Sequence, residues 1–259
     1  MIPLHDENPT STTPWVTILL IVVCVGVYFF IEPGSTEVAA TAEFNYRNAA
    51  VPCEVVTGDP LSPVEISSGL LGQDQCFHHE SQSPVFPDKH VFLAVLVSMF
   101  LHGSILHLGG NMLFLWVFGN NVEDRLGPLR YVAFYIVAGI VATFAHIGAQ
   151  PNSTVPVIGA SGAIAGVMGA YLIWFPRAQV RTLLFLGFFI LFPVINARWL
   201  LLFWFVSQFF VNPNEGVAWV AHVGGFAFGA VIALLLRRSS EDLLPGDPGW
   251  APPAAPPAW

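Results

Sequence analysis

The sequence predicts an all-α membrane protein, a bundle of six transmembrane helices with a long outside loop between the first and the second. Three observations predict it. Of the 259 residues 54% are hydrophobic and only 10% charged, whereas a soluble domain carries about 25% charged residues. The mean hydropathy is +0.65. Apolar runs long enough to cross a bilayer recur along the chain, punctuated by short segments rich in Pro, Gly, Asn and Arg. The formal net charge of −8 identifies no partner, because most of the acids sit in one loop, and no basic patch supports nucleic-acid binding.

The first span covers residues 15–31. The stretch before it, 1–14, has no basic n-region, and no small-residue cleavage site closes the run, so it reads as an uncleaved span with a cytoplasmic N-terminus. Residues 32–103 form the outside loop. Its part from 32 to 88 holds nine acids against Arg47, with Pro33, Pro52, Pro60, Pro63, Pro84 and Pro87, and reads as a long polar loop with room for modest structure. Residues 89–103 are apolar but include Lys89, His90 and His102, which suits an interfacial or partly inserted element. Cys53 and Cys76 lie in this loop. An oxidising exterior permits a disulfide between them, the alternatives being two free thiols or a weak metal site with His78 and His79.

Residues 104–237 form the core, spans two to six. Ser104 is placed to cap the second, 104–121. The third runs over 129–149 and the fourth over 157–175, closing at Pro176-Arg177. Residues 182–193 are apolar but broken by Pro193 and Asn196, and read as an interfacial stretch feeding the fifth span, 199–211. A tight turn at 212–216 leads to the sixth, 217–236, stopped by Arg237-Arg238. The tail, 238–259, is Pro/Ala-rich toward its end and reads as disordered and cytoplasmic. Arg125, Arg130, Arg177, Arg181, Arg198, Arg237 and Arg238 fall on one side, so the positive-inside rule puts both termini in the cytoplasm. His107, Asn111, Ser161 and His222 then lie within about two turns of the outer helix ends, at roughly 1.5 Å per residue.

Polar side chains inside spans are candidates for function. A lone serine in a span usually packs or bonds back to its own helix, and a lone histidine beside glycines is commonly structural; His146, without motif company, is left so. Ser161, framed by Gly159 and Gly162, and His222, followed by Gly224 and Gly225, share one depth with His107 and Asn111, and that conjunction suits acyl transfer. No acid occurs between Asp124 and Glu215, which excludes a paired-aspartate protease and leaves a Ser-His dyad in place of a triad. Lys89 is the sole lysine and lies before the second span, so a Ser-Lys pair lacks its base. Ser83 stands where the helical zinc motif after His79-Glu80 would need histidine, so neither a metal nor another cofactor is expected. Ser161 is then the nucleophile and His222 the general base. Gly159 and Gly162 allow a substrate backbone to approach, the Ser161 backbone N–H at the helix start can receive an oxyanion, and His107 and Asn111, four apart on one helix face, add donors. Gly162 and Gly166 facing Gly225 and Gly229 would let the two helices meet closely.

Gly159-Ala160-Ser161-Gly162, Ala221-His222 before Gly224-Gly225, and His102 with His107 and Asn111 resemble the signatures of the rhomboid family of intramembrane serine proteases, bacterial type. Val122-Glu123-Asp124-Arg125-Leu126-Gly127 after the second span does too, and the resemblance covers roughly residues 89–237 in order. It implies the six-helix rhomboid-like bundle and the same roles for the residues above. It also suggests that His102 supports the loop covering the site. Many rhomboids carry an aromatic residue four positions after the serine; here that position is Ala165. Glu123 and Arg125 are expected to be structural. The expected activity is cleavage of transmembrane protein substrates near the outer face of the lipid bilayer, in a bacterial inner membrane. The alternatives are a non-catalytic relative that binds membrane clients, which loss of Ser161 or His222 would have signalled, and a small transporter, for which no inverted repeat appears.

Overall fold

The computed structural model describes residues 1–34, 37–77, 83–211 and 218–236. The turn expected at 212–216, the Arg237-Arg238 pair, the 238–259 tail and the His78-His79 pair lie outside the described residues. The chain is mostly helical. Helix α1 (Trp15–Phe30) is followed by α2 (Val38–Asn48), α3 (Pro52–Thr57), α4 (Pro63–Leu70) and α5 (Val91–Ser98), then by α6 (Ile105–Leu126), α7 (Pro128–Ala149), α8 (Ser161–Trp174), α9 (Ala197–Ser207) and α10 (Trp219–Leu235). Among the described residues one helix, α7, is long and apolar enough by itself to cross a membrane, at 22 residues and mean hydropathy 1.9. Helices α1, α8, α9 and α10 are apolar but shorter.

Local signals account for these boundaries. Ser104 caps α6 by accepting from the His107 backbone N–H at 3.1 Å. Pro128 opens α7 directly after Gly127, where a missing N–H costs nothing. Helix α8 has no polar face and is buried from Gly162 to Tyr171, as an all-round apolar helix must be. It packs against α10 through glycines. A Cβ on Gly225 would fall on the Gly162 carbonyl oxygen, and one on Gly229 on the Gly166 carbonyl oxygen, both closer than real Cβ contacts come. Only backbone meets at these crossings.

The start of α1 is held by the end of α6. The Glu123 carboxylate accepts from the backbone N–H groups of Val16 and Thr17 at 2.9 and 2.8 Å and from the Thr17 hydroxyl at 2.8 Å. An acid there satisfies first-turn donors and opposes the positive end of the helix dipole. Asp124 takes the hydroxyls of Ser11 and Thr12 at 2.8 and 2.6 Å, and Arg125 lies over the Trp174 ring, 4.8 Å from its centre. These acids tie the N-terminal segment to the bundle.

Two expectations are corrected. The chain is not all-α. Strand β1 (Ile2–Asp6) pairs antiparallel with β2 (Gln179–Leu186), which also pairs with β3 (Phe189–Leu191) and β4 (Val194–Asn196). The stretch read as interfacial at 182–193 is therefore a hairpin. Its β-branched and aromatic residues favour strand, and Gly187, at φ 60°, turns it with the positive φ that short hairpin loops need. Overall hydropathy cannot separate such a hairpin from an apolar helix. Asp6, at the end of β1, is buried and accepts from the Tyr171 hydroxyl at 2.8 Å and from the Asn121 amide.

The 32–103 segment is also far more ordered than a polar linker. Tyr46, Val51, Cys53 and Leu61 form a small core of their own, and Cys53 and Cys76 are joined in a disulfide with Cα atoms 5.8 Å apart. Ser62 and Glu65 form a reciprocal capping box on α4. Lys89 and Glu54 pair with both side chains 2% exposed. Burial pushes the Glu54 carboxyl up and the Lys89 ammonium down, while their mutual attraction opposes both shifts.

Candidate active site

Ser161, His107 and His222 lie in the first turns of their helices, Asn111 one turn further along α6, and Gly159 and His102 in the turns before helices. Ser161 is the first residue of α8. The turn before it contains Gly159 at φ +123°, a conformation L side chains rarely adopt. A Cβ there would also stand 2.8 Å from His107 Nε2 and 3.6 Å from Ser161 Oγ. Gly159 is thus required both by its backbone and by the His107 ring that lies against it. Its N–H donates to the Ser98 carbonyl at 2.9 Å, fixing the turn to the end of α5.

His222 lies in the first turn of α10, and its Nε2 is 2.8 Å from Ser161 Oγ. The Gly162–Gly225 crossing permits this distance, since Gly162 follows the serine and Gly225 is one turn beyond the histidine. The other ring nitrogen, Nδ1, is 2.8 Å from Gln208 Oε1. The Trp204 ring lies 5.8 Å from the imidazole, tilted by 41°. An aromatic neighbour for His222 thus comes from α9, while Ala165 is buried in α8.

His107 and Asn111 stand on α6, and the His107 ring lies against Gly159 in the turn before Ser161. The Asn111 amide donates to the His107 carbonyl at 2.9 Å, so that donor is held by its own helix in the resting protein. His102 is 1% exposed and meets His107 edge to face, with ring centres 5.2 Å apart. Its backbone N–H donates to the Glu32 carboxylate at 3.1 Å, which anchors the turn before α6 to the end of α1. The pairs Ser161–His222 and His102–His107 are therefore brought together, and Gly159 lies between Ser161 and His107. The 32–103 segment meets the 153–157 stretch that leads to this turn. Val157 N–H donates to the Ala50 carbonyl at 2.8 Å, Cys53 N–H to the Ser153 carbonyl at 2.9 Å, and Asp74 accepts from the Ser153 hydroxyl at 3.0 Å.

Three residues here escaped the sequence reading. Gln208 and Trp204 sit in an apolar run whose approach to His222 depends on tertiary packing. Glu32 looks like the polar stop after a first span, and no local signal distinguishes it from one.

A serine hydroxyl hydrogen-bonded to a neutral imidazole can lose its proton as it attacks a carbonyl, and a helix start offers free backbone N–H groups for the oxyanion. A family model described as Rhomboid domain matches residues 89–239. Rhomboid protein 1, mitochondrial, of Saccharomyces cerevisiae is 28% identical over 158 residues, 58% of this chain and 43% of that protein. The human presenilin-associated rhomboid-like protein, mitochondrial, is 33% identical over 97 residues, 37% of this chain and 25% of that one. Rhomboid protease GluP of Bacillus subtilis is 41% identical over 78 residues, 30% of this chain and 15% of the relative. The matched region is less than half the length of each of these relatives.

Proposed function

Because the chain belongs to the rhomboid family, whose members are integral membrane proteins and include a protease among its relatives, we propose that it is an intramembrane serine endopeptidase working through Ser161 and His222. The observation that carries this reading is the 2.8 Å contact between Ser161 Oγ and His222 Nε2. Both residues stand in otherwise apolar helices, where polar side chains are candidates for function.

The chemistry follows from the two atoms. Ser161 Oγ attacks the scissile carbonyl carbon as its proton passes to His222 Nε2, forming the Oγ–C bond and an oxyanion. The oxyanion faces the Ser161 backbone N–H, with His107 beside it and Asn111 within reach once its amide leaves the His107 carbonyl. Collapse breaks the C–N bond, and Nε2 returns its proton to the leaving amine. A water then gives a proton to Nε2 and its oxygen to the acyl carbon. The Oγ–C bond breaks, Ser161 regains the proton, and the new carboxyl end departs. Gly162 is spent on the close approach of α7 and α10 to α8 and offers no room to a substrate, and His102 holds the His107 ring from behind.

In this reading the segments 15–31, 104–121, 129–149, 157–175, 199–211 and 217–236 are six spans, with 1–14 and 238–259 in the cytoplasm and 32–103 outside. Helices shorter than about 20 residues cross with the help of their flanking turns. The site then lies near the outer face, and its substrates are transmembrane helices that unwind readily, since a helical peptide bond hides its carbonyl. The relatives include mitochondrial proteins and give no support to a bacterial inner membrane in particular. Labelling by a fluorophosphonate in detergent tests the proposal. The wild type should label and Ser161→Ala should not; a labelled Ser161→Ala removes Ser161 as nucleophile.

A further inference from the structure

The amide of Gln208 fixes which nitrogen of His222 carries the proton. Gln208 is 6% exposed, at the end of α9. Its Nε2 lies 3.1 Å from the Trp204 carbonyl and 3.3 Å from Ser207 Oγ. A carbonyl can only accept, so the nitrogen end of the amide must face Trp204. The Ser207 hydroxyl is itself donated to the same carbonyl at 2.6 Å, which leaves its oxygen free to accept from Gln208 Nε2. The amide cannot turn round without setting oxygen against oxygen. Its Oε1 therefore faces His222 Nδ1 at 2.8 Å as an acceptor, and Nδ1 must hold the hydrogen. Nε2 is left with its lone pair directed at Ser161 Oγ, 2.8 Å away, the form a general base requires.

We propose that Gln208 is a positioning residue that locks His222 in the Nδ1–H tautomer and in the ring orientation needed to deprotonate Ser161. The proposal rests on the dyad reading above and adds a third member to it. Catalytic histidines elsewhere are commonly held by a carboxylate, which also stabilises the imidazolium. This chain has no acid between Asp124 and Glu215. A neutral amide does the orienting without placing a charge in the apolar bundle. The amide is anchored in turn by the last turn of α9, so the Trp204 carbonyl, the Ser207 hydroxyl, Gln208, His222 and Ser161 form one chain of donors and acceptors with a single consistent direction.

Two measurements on the full-length protein test this. In protein labelled with nitrogen-15 histidine, the His222 resonances, assigned by their absence from His222→Ala, should show a protonated Nδ1 and a bare Nε2. A protonated Nε2 in the neutral wild type overturns the proposal, and this reading needs no Gln208 variant. In Gln208→Leu the Nε2–H form should become populated. There kcat should fall roughly 10- to 100-fold, with KM within about twofold, because a lost orienting bond acts on the base and not on substrate binding. Wild-type kcat in folded Gln208→Leu also overturns it. The dyad reading fails separately. If Ser161→Ala loses all activity while Gln208→Leu keeps it, the dyad stands and the role of Gln208 falls; an active Ser161→Ala removes both.

Discussion

Replacing Gly225 with Ala should separate His222 from Ser161 without altering either side chain. The added Cβ would fall on the Gly162 carbonyl oxygen, with the Ala142 Cβ 3.3 Å away on a second side. Carbon and carbonyl oxygen settle at about 3.3 Å or more, so α10 must withdraw from α8 by roughly 1 Å at this level. Neither obstacle is a flexible side-chain end that could swing aside. His222 lies one turn from Gly225 and Ser161 is next to Gly162, so the 2.8 Å contact between Nε2 and Oγ lengthens to about 3.8 Å, beyond any hydrogen bond. Overpacking of this kind costs about 1–3 kcal/mol, and loss of a general base lowers turnover by about 100-fold or more. The assay pairs thermal unfolding in detergent with the rate of fluorophosphonate labelling. Both should drop together in Gly225→Ala. Gly148→Ala, where a Cβ meets nothing within 4 Å, should leave labelling unchanged and stabilise by up to about 1 kcal/mol. Wild-type Tm and labelling in Gly225→Ala would refute the claim that backbone contact sets the site.

Further outcomes follow from the surroundings of the site. Burial pushes the Glu32 carboxyl up to about 7, against the opposing hydrogen bond from His102. Between the ordinary value of 4.5 and about 7 the folded chain holds a proton that the unfolded chain has released, so stability falls as pH rises through this window. The decline in Tm over it should be shallower in Glu32→Gln, and equal slopes would show that Glu32 does not titrate in this way. Cys53→Ser opens a disulfide of sequence separation 23 and should destabilise the small core around Tyr46, Val51 and Leu61 by about 3 kcal/mol; equal Tm for oxidised and reduced protein would contradict that. Asn111→Ala should lower kcat by about 100-fold or more with little change in KM, as losing one oxyanion donor does. A change confined to KM would make Asn111 a packing or substrate-binding residue.

The meeting of Ser161 and His222 was legible in the sequence because each is polar and nearly alone in an apolar helix, with glycines at the spacing that close crossing demands. Hydropathy showed the apolar segments for the same reason. The 179–196 hairpin was not legible, since its residues are as apolar as a helix's and its partner β1 lies some 175 residues away, at Ile2–Asp6. Gln208 was hidden differently. A glutamine closing an apolar helix looks like any polar terminus, and its partner on α10 is known only once α9 and α10 are packed. The 32–103 segment did carry readable local signals, Pro52 and Pro63 at helix starts and the Ser62–Glu65 box. Its acids and prolines outweighed them, although Glu54, Glu65 and Asp74 are in fact spent on internal bonds.

The hydrogen bonds from Cys53 to Ser153 and from Val157 to Ala50 also bear on how the molecule is assembled. Ala50 and Cys53 leave the ribosome roughly a hundred residues ahead of their partners, so these are contacts of high sequence separation whose closure comes late. The segment from 37 to 77 is complete in sequence, with its own bridge and core, before the loop that presents Ser161 exists. That loop therefore settles onto a surface already built, and its final shape is inherited from residues with no part in the chemistry. Until it docks, Ser161 has a helix but lacks the contacts that hold the turn before it.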